Sequence, residues 1–313
     1  MKNRNTNRIL TRTACIAALL AVAVPEVLAG GGSGMAFLKL GVSSQGVAMG
    51  DAMSATAAGA GATYYNPAGM LVTGGPASAP TLLVMHKEWI QDTRTQFIGT
   101  AFSIGEGHAL GFSVNTTTVS GIEIRTRPGE AQGTFNARDM ALGVSYAHAI
   151  AEHIRAGISV RYLYEQILVD DAAGIAGDVG VQVDTPIEGL VAGAAIANIG
   201  SMNAMRNEAV RLPLLARFGA AYPVDLPSMD VRVLFAADGL HLFREERTLA
   251  AVGTEITFAS TVAFRAGYQS GSEGRGLSLG GGVRYGIFSL DYAYSKLATA
   301  LGNGHTIALG LAL

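Results

Sequence analysis

Apolar and polar residues alternate with a period of two along most of the chain after residue 80. In "QFIGTAFSIG", Ile98, Phe102 and Ile104 fall on one face, and in "DVGVQVD" three valines alternate with polar or small residues. A period of two is the signature of a β-strand. About fourteen such segments follow residue 80, most of them about ten residues long, which is the length that a tilted strand needs to cross a bilayer.

The breaks between these segments support the same interpretation. None of the nine prolines falls inside a proposed strand, as expected for a residue that has no N–H to donate to a sheet. Short connections, such as Pro223 to Ser228, alternate with longer ones, such as Ser120 to Ala137 and Ile199 to Arg211. Outer-membrane barrels have this arrangement of short turns at one end and longer loops at the other.

Composition separates a membrane barrel from a soluble β-sandwich. The chain is 49% apolar and only 15% charged, with 41 glycines, whereas soluble domains carry about 25% charge. A sandwich would also need a water-facing side rich in Lys and Glu, but only Lys39, Lys87 and Lys296 follow the first 29 residues. We therefore predict an all-β protein, a closed antiparallel transmembrane β-barrel of about 14 strands.

A barrel in lipid must direct its strand charges into the lumen. The alternation assigns six basic and six acidic residues to the interior, and an unpaired buried charge is costly, so pairing is expected. These predicted luminal charges are Arg155, Arg161, Glu165, Asp178, Asp184, Arg217, Arg232, Asp238, Glu255, Arg265, Arg284 and Asp291. A polar conduit and an internally paired scaffold are both compatible with such a lumen.

The first residues have the pattern of an export signal. Lys2, Arg4, Arg8 and Arg12 precede a short apolar run, and Val27-Leu28-Ala29 offers a cleavage site, so residues 1–29 are predicted to be a removed signal peptide. The only cysteine, Cys15, lies within it, which excludes a disulfide or thiolate site from the mature chain. The sequence shows no basic face of the kind that a nucleic-acid partner would require.

Residues 30–80 lack the alternation and form a second unit, followed by the barrel at 81–313. Ser43 or Ser44 could cap a short helix, and Asn66 with Pro67 is a helix start, since Asn caps well and Pro suits the first helical position. A fourteen-stranded barrel is wider than its own side chains fill. We therefore predict that residues 30–80 are a small helical plug in the lumen, with hatch residues Tyr64, Tyr65, Asn66, Pro67, Ala68 and Gly69.

The segment "GVAMGDAMSATAAGAGATYYNPAGM" resembles the N-terminal signature of the FadL superfamily of outer-membrane barrels, and more closely its PorV/PorQ branch; "LPLLARFGAAYPV" resembles a strand of that branch. The resemblance implies a barrel with an N-terminal hatch. For PorV-like members it implies a protein-binding scaffold or shuttle in type IX secretion, with secreted cargo or secretion-system proteins as partners. For FadL-like members it implies a channel for hydrophobic compounds such as fatty acids.

The sequence does not favour an enzyme. Gly276 to Gly280 matches G-x-S-x-G, but the match lies in an alternating strand and lacks the strand-turn-helix context of a nucleophile elbow. The six histidines show no metal-ligand spacing, and no phosphate loop or dinucleotide fingerprint appears. We expect no cofactor, a bacterial outer-membrane location and outer-membrane lipid as a partner. The resemblance favours the PorV/PorQ function, with the hydrophobic channel as the alternative.

Overall fold

The chain folds into a closed barrel of fourteen antiparallel strands. The computed structural model describes residues 33–71, 80–90, 92–271, 276–297 and 302–313. Each barrel strand pairs with its neighbours in sequence, and the first strand closes the barrel against the last, with Thr81 opposite Ala312. The predicted fold class is therefore confirmed. The predicted signal peptide lies outside the described residues.

Nine of the fourteen barrel strands are longer than the length of about ten residues that the sequence pattern suggested. The first seven are β1 Thr81–Glu88, β2 Thr93–Gly105, β3 His108–Glu123, β4 Thr134–Ala151, β5 Ile154–Ile167, β6 Asp170–Asp184 and β7 Val191–Met202. A small hairpin, β8 Ala204–Met205 and β9 Glu208–Ala209, lies outside the barrel sheet. The barrel continues with β10 Leu215–Leu226, β11 Val231–Leu242, β12 Arg247–Phe258, β13 Val262–Ser270, β14 Leu277–Tyr285, β15 Phe288–Lys296 and β16 Asn303–Ala312.

Alternate side chains face lipid and lumen. Val144, Val160 and Phe264 are each more than half exposed on the outer surface, and Ile307 and Leu309 lie on the same outer face. Isolated charges and small residues face inward. An apolar belt of this kind is what a barrel presents to the bilayer interior.

The two ends of the barrel differ in their connections. One end, the short-turn end, carries residues 106–107, 152–153, 227–230 and 286–287, together with the start of β1 and the end of β16. The opposite loop end carries 124–133 and 203–214, but also the short turns 168–169 and 243–246. The long loop predicted at Ser120 to Ala137 is wrong in its bounds, because β3 and β4 pair up to Glu123 and Thr134.

The prediction that prolines avoid the strands is wrong at Pro223, which lies within β10 opposite Leu234. On its other side, β10 pairs with β7 only as far as Ala221 and Val191. Pro223 therefore sits beyond the end of one neighbouring ladder, where its missing N–H leaves no hydrogen bond unmade.

Residues 33–71 lie in the lumen. They contain two short α-helices, Ser44–Ala48 and Gly59–Tyr65, and 3₁₀ turns at Ala36–Lys39 and Pro67–Met70; a further 3₁₀ turn, Pro227–Met229, joins β10 to β11. Both helices are short, and the glycines in this part of the chain disfavour longer ones. Within the described ranges no helix is both long and apolar enough to cross a membrane.

Candidate functional site

The luminal segment, residues 33–71, is built from short turns with defined ends. Ser43 caps the first helix by accepting a hydrogen bond from the Gly46 N–H at 2.9 Å. That helix ends early because Gly50 and Asp51 both have positive φ angles, a conformation in which a right-handed helix does not continue. The Gly59–Tyr65 helix was not predicted, since its alanines and glycines carry no apolar periodicity.

Asn66 joins the luminal segment to the barrel wall. Its Oδ1 accepts from the Ala68 N–H at 3.2 Å and so caps the Pro67–Met70 turn, as predicted. Its Nδ2 donates to the Ser54 carbonyl at 2.8 Å and to the Val181 carbonyl of β6 at 3.0 Å. The side chain is fully buried, and each of its polar atoms has a partner, which is the condition for burying an amide at little cost.

The two tyrosines hold the luminal segment together internally. The Tyr64 hydroxyl donates to the Leu38 carbonyl at 2.8 Å. The Tyr65 hydroxyl donates to Asp51 Oδ1 at 3.1 Å and accepts from the Val42 N–H at 3.0 Å. The guanidinium of Arg217 lies 5.4 Å from the centre of the Tyr65 ring, a cation–π distance. Tyr65 thus contacts β10 through Arg217.

Asp238 of β11 is the main polar anchor on the wall. Its Oδ2 accepts from the Met53 N–H at 2.9 Å, the Ser54 N–H at 2.7 Å and the Ser54 Oγ–H at 2.6 Å. Hydrogen bonds to an ionised acceptor are shorter and stronger than neutral ones. Asp238 is buried, so three donors of the luminal segment depend on this one carboxylate.

Glycines of the strands let the backbone of the luminal segment approach the wall. A Cβ added at Gly157 would lie 2.4 Å from the Pro67 carbonyl carbon, one at Gly193 would lie 2.1 Å from the Ser54 carbonyl oxygen, and one at Gly267 would lie 2.3 Å from Gly50 N. No real Cβ makes such contacts with backbone. The high glycine content of the strands is therefore in part a fit to the luminal segment.

The predicted luminal charges face inward, and several form ion pairs. Arg155 pairs with Asp184 at 2.8 Å, and Arg161 pairs with Asp178. Arg265 bridges Glu255 and Asp291 at 2.5 Å each. Glu165 instead lies opposite Asp139, another carboxylate, on the neighbouring strand. Arg232 and Arg284 are exposed to the lumen, whereas the other ten charges are buried or half-buried.

A cavity of about 700 Å³ lies below the luminal segment at the short-turn end. The segment contributes Ser43, Ser44, Gln45 and Gly59 to its upper wall. The barrel contributes five of the luminal charges just described, which are Arg232, Glu255, Arg265, Arg284 and Asp291. Leu83, Leu226 and Val283 also line the cavity, so its surface is mixed, with charged and apolar parts.

An apolar cluster occupies the lumen toward the loop end. Phe37 and Leu38 of the luminal segment are buried against Leu163 of β5 and Leu212, and Leu40 packs at its edge. Lys39 and Ser33 both donate to Glu245 Oε1 in the turn between β11 and β12, at 2.5 and 2.9 Å. Partial burial alone would raise the pKa of Glu245, but these hydrogen bonds outweigh it and hold the pKa below its ordinary value.

The structure brings together the predicted hatch residues, all of which are buried, but their partners were not found from the sequence. Ser54, Asp51 and Gln182, whose Nε2 donates to the Ala57 carbonyl at 3.0 Å, are ordinary polar residues in the sequence. Lys87 is a partial exception, because a lone lysine on an inward strand position is unusual; its Nζ donates to the Gly41 carbonyl. Within the described ranges, no group of three or more His, Cys, Asp or Glu could hold a metal ion.

The G-x-S-x-G match has a strand context. Ser278 lies in β14 with its side chain buried in the lumen, 3.5 Å from Ser295 Oγ of β15. No turn into a helix follows it, so the geometry of a nucleophile elbow is absent at this position.

Fold and lumen together define a class of protein, a fourteen-stranded membrane-type barrel that holds its own N-terminal segment. No protein-family model matches the sequence, and no curated protein matches it. Solved structures of outer-membrane channels do match, and they share the fold at low sequence identity.

The Pseudomonas putida toluene transporter TodX superimposes with a TM-score of 0.63 at 12% identity, covering 87% of this chain and 98% of that one. The CymD monoaromatic hydrocarbon channel gives a TM-score of 0.59 at 14% identity, with 87% and 98% covered. A Pseudomonas aeruginosa FadL homologue gives 0.52 at 11% identity, with 92% and 99% covered. The narrower resemblance to the PorV/PorQ branch stays a prediction.

Proposed function

We propose that this protein is a bacterial outer-membrane channel for hydrophobic compounds, closed by residues 33–71. The observation that carries the proposal is a barrel of fourteen strands whose lumen is occupied by a segment of the same chain. Support comes from the likeness to TodX, CymD and a FadL homologue, two of which are described as hydrocarbon or toluene carriers. Fold alone does not decide function, so the lumen must supply the argument.

The lumen has an apolar cluster at the loop end and charged groups at the short-turn end. Phe37, Leu38 and Leu163 make the loop end apolar, and a hydrophobic compound gains free energy by leaving water for such a surface. Below it, the luminal segment fills the lumen, and the short-turn end is lined by charges. A compound held among Phe37 and Leu38 would therefore advance only when the luminal segment shifts.

In this proposal, the hydrogen bonds of Asn66 and Asp238 act as a latch that keeps the luminal segment against the barrel wall. Asn66 and the Asp238 carboxylate hold the segment through hydrogen bonds, which can be exchanged for water when the segment moves. The paired luminal charges keep the wall rigid around it. Arg232 and Arg284 keep the cavity hydrated. Under this proposal residues 1–29 are the export signal and the barrel resides in the outer membrane.

A protein-binding scaffold of type IX secretion is the other prediction from the sequence. It would need a distinctive loop face. The connection between β3 and β4 is confined to 124–133, because the flanking residues belong to strands. A test of partner capture should therefore delete 124–133 and not Ser120 to Ala137, which would remove paired strand residues. No contact among the described residues favours this function over transport.

A disulfide lock across the latch tests the channel directly. The side chains of Ser54 and Asp238 touch at 2.6 Å, so Ser54→Cys with Asp238→Cys should form a bond when oxidised. Cells that express this variant should take up radiolabelled toluene or a long-chain fatty acid when reduced, and much less when oxidised. Ser54→Cys alone is the matched control.

Two results would contradict the proposal. Uptake no greater than that of cells without the protein would exclude a channel for these compounds. Equal uptake by the oxidised and reduced forms, with the crosslink verified by mass spectrometry, would show that the luminal segment does not close the path.

A further inference from the structure

The outer surface of the barrel carries a polar border at the loop end that the transport proposal does not use. Arg94 of β2, Thr118 of β3 and Arg138 of β4 lie side by side, each directly opposite the next in the strand registers. All three face outward, and both arginines are exposed. Strand spacing places the two arginine backbones about 10 Å apart. Across the described ranges neither arginine forms an ion pair, although the exposed Glu88 of β1 lies opposite Arg94 in the register.

This row lies at the edge of the apolar belt. At the short-turn end the belt ends at a girdle in which His108 Nδ1 lies 2.7 Å from the Tyr146 hydroxyl, and the ring of His148 stacks on that of His108. Arg94 and Ile104, which lies near that girdle, are separated by roughly 33 Å of strand. Because the strands of such barrels are tilted by about 40° from the membrane normal, this length spans roughly 25 Å along the normal, which is the height of the apolar band of a membrane barrel. The arginines are thus at the opposite membrane interface.

An apolar groove of about 570 Å³ runs down the same strands and begins two outward positions below the arginines. On β2, Ile98 is the second outward-facing residue after Arg94. On β4, Leu142 is the second outward-facing residue after Arg138. Val114, Val144 and Tyr162 complete its walls. Each of these side chains is more than a third exposed on the outer face, so the groove opens toward lipid and not toward the lumen.

We propose that the outer face of β2–β5 binds a phosphate-bearing glycolipid of the outer leaflet, with a phosphate held by Arg94 and Arg138 and an acyl chain in the groove. The occupant follows from charge and position. Guanidinium groups recognise phosphate through paired hydrogen bonds, and the loop end of such barrels faces the outside. A second copy of this chain would need acidic groups opposite both arginines. The inference requires only this membrane orientation and is independent of transport.

Native mass spectrometry of the full chain with defined lipids tests the site. The probes are lipid A bearing both phosphates, the same lipid A after dephosphorylation, and phosphatidylglycerol. Arg94→Gln combined with Arg138→Gln should weaken binding of phosphorylated lipid A by roughly tenfold or more, since each charged hydrogen bond contributes appreciably. Arg125→Gln with Arg127→Gln removes the same charge from the exposed 124–133 connection and should leave binding unchanged. Val144→Trp, which fills the groove, should also weaken binding.

Heat-modifiable migration on gels shows that each variant is folded. The proposal is overturned if the Arg94/Arg138 variant binds lipid A as wild type does, or if dephosphorylated lipid A binds equally well. The assignment to the outer-leaflet glycolipid would be overturned if phosphatidylglycerol bound as well as lipid A and the Arg94/Arg138 variant weakened that binding too. A lipid-free dimer that dissociates on substitution of Arg94 and Arg138 would instead identify a second copy as the occupant.

Discussion

Replacing Asp238 with alanine should release the luminal segment from the wall while leaving the barrel closed. The carboxylate accepts three hydrogen bonds from Met53 and Ser54. Without it, two buried N–H groups lose their partner, at about 1–3 kcal/mol each, and the buried Arg217 loses its nearby anion. A total of about 3–5 kcal/mol matches the cost of breaking a buried charged contact. Local opening of the segment should then increase by roughly 150- to 4,000-fold.

Hydrogen exchange of the protein in detergent measures this opening. Peptides that cover Met53 and Ser54 should lose most of their protection in Asp238→Ala, whereas peptides from β3 and β4 should keep theirs. Asp225→Ala is the matched control, because Asp225 is exposed at the end of β10 and its nearest contact with Arg232 is 3.7 Å. Unchanged protection at Met53 and Ser54 would show that the Asp238 contacts do not hold the segment.

Three further predictions concern the fit, the cap and the loop-end attachment. Gly157→Ala should destabilise the seated segment by about 3 kcal/mol, measured as faster proteolysis within 33–71, whereas outward-facing Gly177→Ala should have no effect; equal proteolysis of the two would contradict the fit. Asn66→Ala should loosen the same segment by about 2 kcal/mol, seen as added exchange around Ser54, and wild-type exchange would refute it. Because Glu245 has a lowered pKa in the folded state, its contribution is present above its unfolded pKa of about 4.3 and is lost as the pH falls through the folded value. Protection of 33–39 should therefore fall at acid pH in wild type but not titrate in Glu245→Gln, and identical pH profiles would exclude this role.

Much of the fold could be predicted from the sequence because a membrane barrel has a simple rule. Each strand needs only alternation, so the number of strands and the inward or outward assignment of residues such as Asp178 and Ile307 follow from a period of two. Strand ends did not follow. β3 and β4 pair well beyond Ser120 and Ala137 at the loop end, where polar residues obscure the alternation.

The luminal site was only partly predictable. Asn66 and Pro67 predict a helix start from local sequence alone, and that prediction was correct. The partners of this turn, Val181 and Gly157, are about a hundred residues away, and only the closed barrel brings them near. For the same reason the sequence could not show that Tyr65 meets Arg217, or that Gln45 donates to Glu255 next to Arg265.

The proposed channel depends on residues 33–71 closing the barrel. Ion conductance across a planar bilayer tests it most directly, by comparing the mature chain with a variant that lacks 33–71 and is shown to be folded by heat-modifiable migration. The mature chain should give no sustained conductance, because its lumen is filled, and the shortened chain should give steady pores. Steady pores of equal size from both proteins would contradict the claim.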